Sequence, residues 1–164
     1  MEVKSAANVT DEMSMQMNKG MASELIIIPN MHIQLFDENG KLKDERFIKN
    51  TVTTAGKNGV ANQILAAPTL AKMGWMAIGT GTPSATLLGA EVARVAFDSK
   101  VAPAAIVTVV ATFGAGVGTG AITEAGTFNI VTANTVDMWM SASFAVVNKA
   151  AGDSIVATWT LTVA

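Results

Sequence analysis

The sequence predicts a mainly β protein: an antiparallel β-sandwich or jelly-roll-like domain with one short helix and an extended N-terminal arm. Three observations predict it. Short runs rich in Val, Ile, Thr and Trp recur along the chain between Gly, Asn and Asp turns, the pattern of an antiparallel all-β fold. One segment alone has sustained helical spacing, whereas a doubly wound α/β fold needs several crossover helices. Half of the 164 residues are hydrophobic but only 5% are aromatic, so Ala, Val, Ile, Leu and Met must fill the core. A chain of this length forms one ordinary domain, burying roughly 70% of its unfolded surface.

Residues 1–22 are polar and Met-rich, and Met13, Met15 and Met17 recur at period two. They read as an arm that orders against a neighbour, leaving residues 23–164 as the sandwich domain. Leu25, Ile26, Ile27 and Ile28 form a continuous apolar run, expected to be buried on both faces or docked on a partner. Beyond Pro29 the chain alternates, with Met31, Ile33 and Leu35 on one side and His32, Gln34 and Phe36 on the other. Pro29 itself argues against a central, fully paired position. Asn39-Gly40 is a strong hairpin signal, with a return strand expected through about Arg46–Val52.

Thr53-Thr54-Ala55-Gly56 opens the helix, which is expected to reach about Ala67 before Pro68, with Val60, Ala61, Ile64 and Leu65 on one face. Strands follow at Trp75–Ile78 and Ile106–Phe113, with short pieces at Ala121–Glu124 and Phe128–Val131; between them the pattern fits either a strand at Val92–Phe97 or a helix over Leu87–Val95. In Val136–Phe144 the alternation groups Val136, Met138, Met140, Ala142 and Phe144, and places Asp137, Trp139, Ser141 and Ser143 opposite. In Ile155–Val163 the residues Ile155, Ala157, Trp159, Leu161 and Val163 share the inner face.

Composition excludes several functions. There is no cysteine, hence no disulfide, thiolate metal site or cysteine nucleophile. The net charge is −2, and the Lys41, Lys43, Arg46, Lys49 set is broken by Asp44 and Glu45, which argues against nucleic-acid binding. Val101–Thr123 is free of charge up to Glu124, but its glycines, its threonines and Pro103 make it unfit to span a bilayer. No apolar leader pattern occurs near the first residue. The chain is therefore expected to be soluble, without membrane partners.

No catalytic, cofactor or metal residues are assigned. His32 is the single histidine, and neither a metal set nor a triad surrounds it in sequence. Gly116-Val117-Gly118-Thr119-Gly120-Ala121 fits a dinucleotide pattern on paper, but no helix follows it. That run and Gly79-Thr80-Gly81-Thr82 read as loops at strand ends. Glu91, Glu124, Asp137 and Asp153 could pair as glycosidase carboxylates, but nothing sets their separation. Glu124 is expected instead to accept backbone N–H bonds and brace a turn.

The distribution of charge says more than its total. All but four charged side chains lie in residues 1–100; the rest are Glu124, Asp137, Lys149 and Asp153. So sparse a half-chain reads as a surface that faces other subunits, or as a β-sheet coated with Thr, Ser and Gly. Trp139, on the polar face of its expected strand, is the candidate surface aromatic for a subunit contact.

A series of motifs then recurs in a familiar order. It comprises Ile48–Val52, Ala55–Ala61, Met76–Thr82, Leu88–Arg94, Val110–Gly114 through Gly120–Gly126, Phe144–Lys149 and the closing Asp153–Thr162 strand. In this the chain resembles small virion structural proteins of tailed bacteriophages, over roughly residues 25–164. The resemblance implies a capsid decoration (cement) protein, not an enzyme, without cofactor or small-molecule substrate. Such a protein is made in the host bacterial cytoplasm and sits on the capsid surface of the virion. Its partners would be the major capsid protein and itself, as a homotrimer. Met13, Met15, Met17 and Leu25–Ile28 would dock on the lattice, and Trp139 would join subunits. A tail or fibre-base component, or a carbohydrate-binding adhesion module, is the alternative.

Overall fold

The computed structural model describes residues 26–164. The arm, with Met13, Met15, Met17 and also Leu25, lies outside the described residues. Ten strands and one helix follow in order: β1 (Ile27–Phe36), β2 (Leu42–Lys49), β3 (Thr51–Val52), α1 (Thr54–Asn62), β4 (Trp75–Gly79), β5 (Glu91–Ala96), β6 (Ser99–Val101), β7 (Ile106–Phe113), β8 (Gly120–Phe128), β9 (Met138–Lys149) and β10 (Ser154–Val163). They form two five-stranded antiparallel sheets, β2-β1-β10-β7-β6 (sheet A) and β3-β9-β8-β4-β5 (sheet B). The inner faces meet in one core that takes Met31, Ile33, Val109, Phe113, Ile155 and Trp159 from sheet A and Met76, Ile78, Ile122 and Met140 from sheet B. The protein is thus an antiparallel β-sandwich, as its strand pattern predicts.

β1 shows how pattern becomes structure. Met31, Ile33 and Leu35 are buried while His32, Gln34 and Phe36 are half-exposed. Its pairing to β2 begins only at Asn30↔Lys49, so Ile27–Pro29 pair with β10 alone. Pro29 therefore sits where one ladder is missing and its absent N–H costs nothing.

Four sequence expectations need correction. The return strand at Arg46–Val52 is two strands, because the chain leaves sheet A at Asn50 and enters sheet B as β3. The two short pieces around Gly126 are a single strand, β8. Gly126 is not a turn: a Cβ there would lie 2.7 Å from the Met138 sulfur, so glycine makes room for that side chain. The helix ends at Asn62, not Ala67, and its buried residues are Gly56 and Gly59. Ile64 is 81% exposed and Leu65 also faces solvent. Thr53 caps α1, its hydroxyl accepting the Gly56 N–H at 3.0 Å.

The fourth correction concerns Trp139, which is buried, with 7% exposure. Thr127 pairs with Met140 and Phe128 with Met138, so Trp139 is the extra residue of a β-bulge. The bulge shifts the alternation: Met138 joins a small cluster on the outer face of sheet B, and Trp139 and Met140 both join the main core. α1 lies on Trp139 so closely that a Cβ at Gly56 would overlap its carbonyl, and one at Gly59 its indole. Thr53 extends the contact, its N–H donating to the Trp139 carbonyl at 2.9 Å and its hydroxyl to the Met138 carbonyl.

Gly56→Ala should therefore destabilise the fold by about 2 kcal/mol despite alanine's better helix propensity. Urea denaturation checks this; an unchanged midpoint would contradict the close packing of α1 on Trp139.

Candidate interaction surface

The outer faces of the two sheets are built differently. Over sheet B, the segments 80–90 and 129–137 fold back as a roof. Glu124, fully buried, holds the first segment by accepting backbone N–H bonds from Gly81 (3.0 Å), Gly89 (2.8 Å) and Ala90 (2.7 Å). This is the turn-bracing role its position in sequence suggests. Arg94 holds the second. It pairs with Glu91 through both its Nε and Nη2, at 2.9 and 2.7 Å, with both side chains nearly inaccessible. Its Nη1 donates to the carbonyls of Ile130 (2.8 Å) and Thr132 (2.7 Å), and the guanidinium lies 3.6 Å from the Phe128 ring centroid. Beneath the roof pack Ala77, Leu88, Phe128 and Met138.

Sheet A has no such cover among the described residues. The register lines up its outward side chains in rows: Ile28, Thr162 and Ile106; then Lys49, Asn30, Thr160, Thr108 and Val101. Phe47, His32, Thr158, Val110 and Ser99 form the next row, followed by Glu45, Gln34, Val156 and Thr112. The charged members, Glu45 and Lys49, both belong to edge strand β2. From β10 to β6 the face carries no charge. Threonine and valine suit a pleated face sterically, and the hydroxyl and amide groups leave it polar but nearly uncharged.

Folding deepens the charge depletion that the sequence shows. Of the four charged residues after position 100, Glu124, Lys149 and Asp153 are buried, which leaves Asp137. Lys149 donates to the carbonyls of Gly114 (2.9 Å) and Asp153 (2.7 Å), tying the β7–β8 and β9–β10 connections together. Burial lowers its amine from the ordinary value, while the Asp153 charge works in the opposite direction. The Asp153 carboxyl is held below the usual range, first by the hydrogen bond from the Lys43 ammonium (2.6 Å), then by the Ala150 N–H (2.9 Å).

The lattice-docking candidates sit at the end of the sandwich where β1 begins and β10 ends. Ile26 and Ile28 are about half exposed, and Ile27 packs partly on the core. With Val52, Lys57, Val60, Ala61 and Ile64, Ile26 and Ile27 line a groove of about 460 Å³ between β1 and α1. The exposed Val101, Ile106 and Val163 lie at this same end by register. The structure brings Ile26–Ile28 onto one apolar end and removes Trp139 from any free surface. His32 and Phe47 were not paired by sequence reasoning. Their cross-strand opposition depends on a register shift between Leu35 and Phe36, which a count outward from the Asn39-Gly40 turn does not reveal.

In comparisons with known proteins, no family model, no curated protein and no solved structure matches this chain.

Two outcomes test this account. Glu124→Ala should cost about 3 kcal/mol or more by leaving three buried N–H groups without their acceptor, and should raise amide exchange in residues 80–90 specifically. Asp153 gives a pH signature. Its folded-state carboxyl is depressed, so its contribution is present above the unfolded value near pH 4 and is lost as pH falls through the folded value. Asp153→Asn should therefore be less stable than the parent at neutral pH, with the gap narrowing in urea titrations as pH falls below the unfolded value near 4.

Proposed function

We propose that the protein is a structural component of a tailed-phage virion, a decoration protein that binds the outside of the head and clamps neighbouring capsomers. The observation that carries this reading is the bare outer face of sheet A, uncharged from β10 to β6 and continuous by register with the apolar end at Ile28 and Ile106. A surface with few ions to desolvate suits a permanent contact. The sequence order of motifs that resembles phage virion proteins supports the same reading. In it, Ile26–Ile28 face the capsid lattice and the threonine face of sheet A meets a second copy, taking the place sequence reasoning gave to Trp139. The mechanism is mechanical. Binding the assembled lattice and not its separated subunits stabilises the assembled state by mass action.

Cryo-electron microscopy of intact particles tests the proposal. Copies spread over the head, with Ile28 and Ile106 covered by neighbours, are the expected result. Copies confined to the tail or a fibre base would overturn the clamp. The double variant Ile28→Asp/Ile106→Asp, altering exposed positions only, should keep the β-sheet circular dichroism of the parent and reduce head occupancy at least tenfold.

A further inference from the structure

The β2 side of sheet A carries a second feature, which borders the uncharged face and shares Thr158 and Thr160 with it. Phe47 is 78% exposed, the second most exposed large hydrophobic side chain among the described residues after Ile64, yet it sits in the middle of a strand. Its ring stacks face to face on His32, with centroids 4.3 Å apart and planes within 5°. Glu45 fixes the pair from the side: its Oε1 lies 2.7 Å from His32 Nε2 and accepts a 3.3 Å bond from Gln34 Nε2. A carboxylate only accepts, so Nε2 carries the proton, and in the neutral ring Nδ1 remains an acceptor. Beside the stack a shallow trough of about 470 Å³ runs along β1, lined by Asn30, His32, Phe47, Lys49, Thr158 and Thr160, with Met31 and Ile48 completing it. Among the described residues, Asn30, Lys49, Thr158 and Thr160 make no side-chain hydrogen bond.

We infer that this trough is a glycan-binding subsite that takes one hexopyranose unit. A pyranose has a C–H face that packs on an aromatic ring and a rim of hydroxyls that both donate and accept. The trough offers the same pairing: an immobilised aromatic stack beside an amide, two hydroxyls, an ammonium and an imidazole acceptor. Its volume falls in the range of small-ligand sites. Preorganisation favours binding, because the stack and its Glu45 anchor order the rings before any ligand arrives. A nucleic acid fits less well, since Lys49 is the only cation among the described residues lining the trough and Glu45 lies beside it. A peptide strand would instead add to the free edge of β2 through its backbone. The trough opens on the β2 side of the sheet, away from β7 and β6. The inference does not rest on the virion reading.

Saturation-transfer NMR of the full chain with a panel of methyl pyranosides, one of them carrying a carboxylate, tests the subsite. At least one glycoside should show transfer to its ring C–H protons. Phe47→Ala should reduce that transfer roughly tenfold, Phe47→Trp should retain it, and Thr160→Val, close in shape, should weaken it. Absence of transfer from every glycoside to the parent protein would overturn the inference. So would a transfer unchanged in both Phe47→Ala and Thr160→Val.

Discussion

The bulge at Trp139 decides which way three consecutive side chains face, and much of sheet B follows from that choice. With strict alternation, Met138 and Met140 would share a face and Trp139 would stand alone on the other. The extra residue sends Met138 outward to Phe128 and Leu88, and turns Trp139 and Met140 inward together. The indole then closes the open end of the core and gives α1 a surface to lie on. Two glycines one helical turn apart let the helix backbone reach that surface, so close packing compensates for their low helix propensity. Gly126 opposite Met138 completes the arrangement.

The buried ions serve the same division of labour. Glu124, the Arg94–Glu91 pair and the Lys149–Asp153 pair each hold a connection whose backbone polar groups would otherwise need water. Three of these five residues come from the sparsely charged part of the sequence, so spending them inside leaves the outside nearly neutral. One sheet is roofed by pinned loops, and the other is bare among the described residues.

Much of the fold was legible in the sequence because period-two patterns report burial directly. β1 and β10 are the clearest cases, and the Asn39-Gly40 turn and Thr53 cap mark their elements through local chemistry. What the sequence hid was set by contacts between distant residues. Nothing near Trp139 announces a bulge, since the extra residue is defined by its partners on β8. Gly126 looks like a turn until Met138 is seen across from it. The helix length was overread because Ile64 and Leu65 keep helical spacing while facing solvent. Of the candidate site, the charge depletion after residue 100 was visible at once. Its placement on one bare face, and the His32–Phe47 stack within it, needed the register.

The pairing of β1 with β10 has a consequence for synthesis. Ile27 meets Val163 and Phe36 meets Ser154, so the first strand of the sandwich is held by the last. A chain emerging from the ribosome can close the β1–β2 hairpin early, but β1 keeps a bare edge until Ser154–Val163 have been made. Nearly the whole domain must be translated before sheet A exists, and the loop closed by that last step is almost the length of the fold. The uncharged face arises only when β7 and β10 join, so it forms last, together with the core that Ile155, Ala157 and Trp159 of β10 complete.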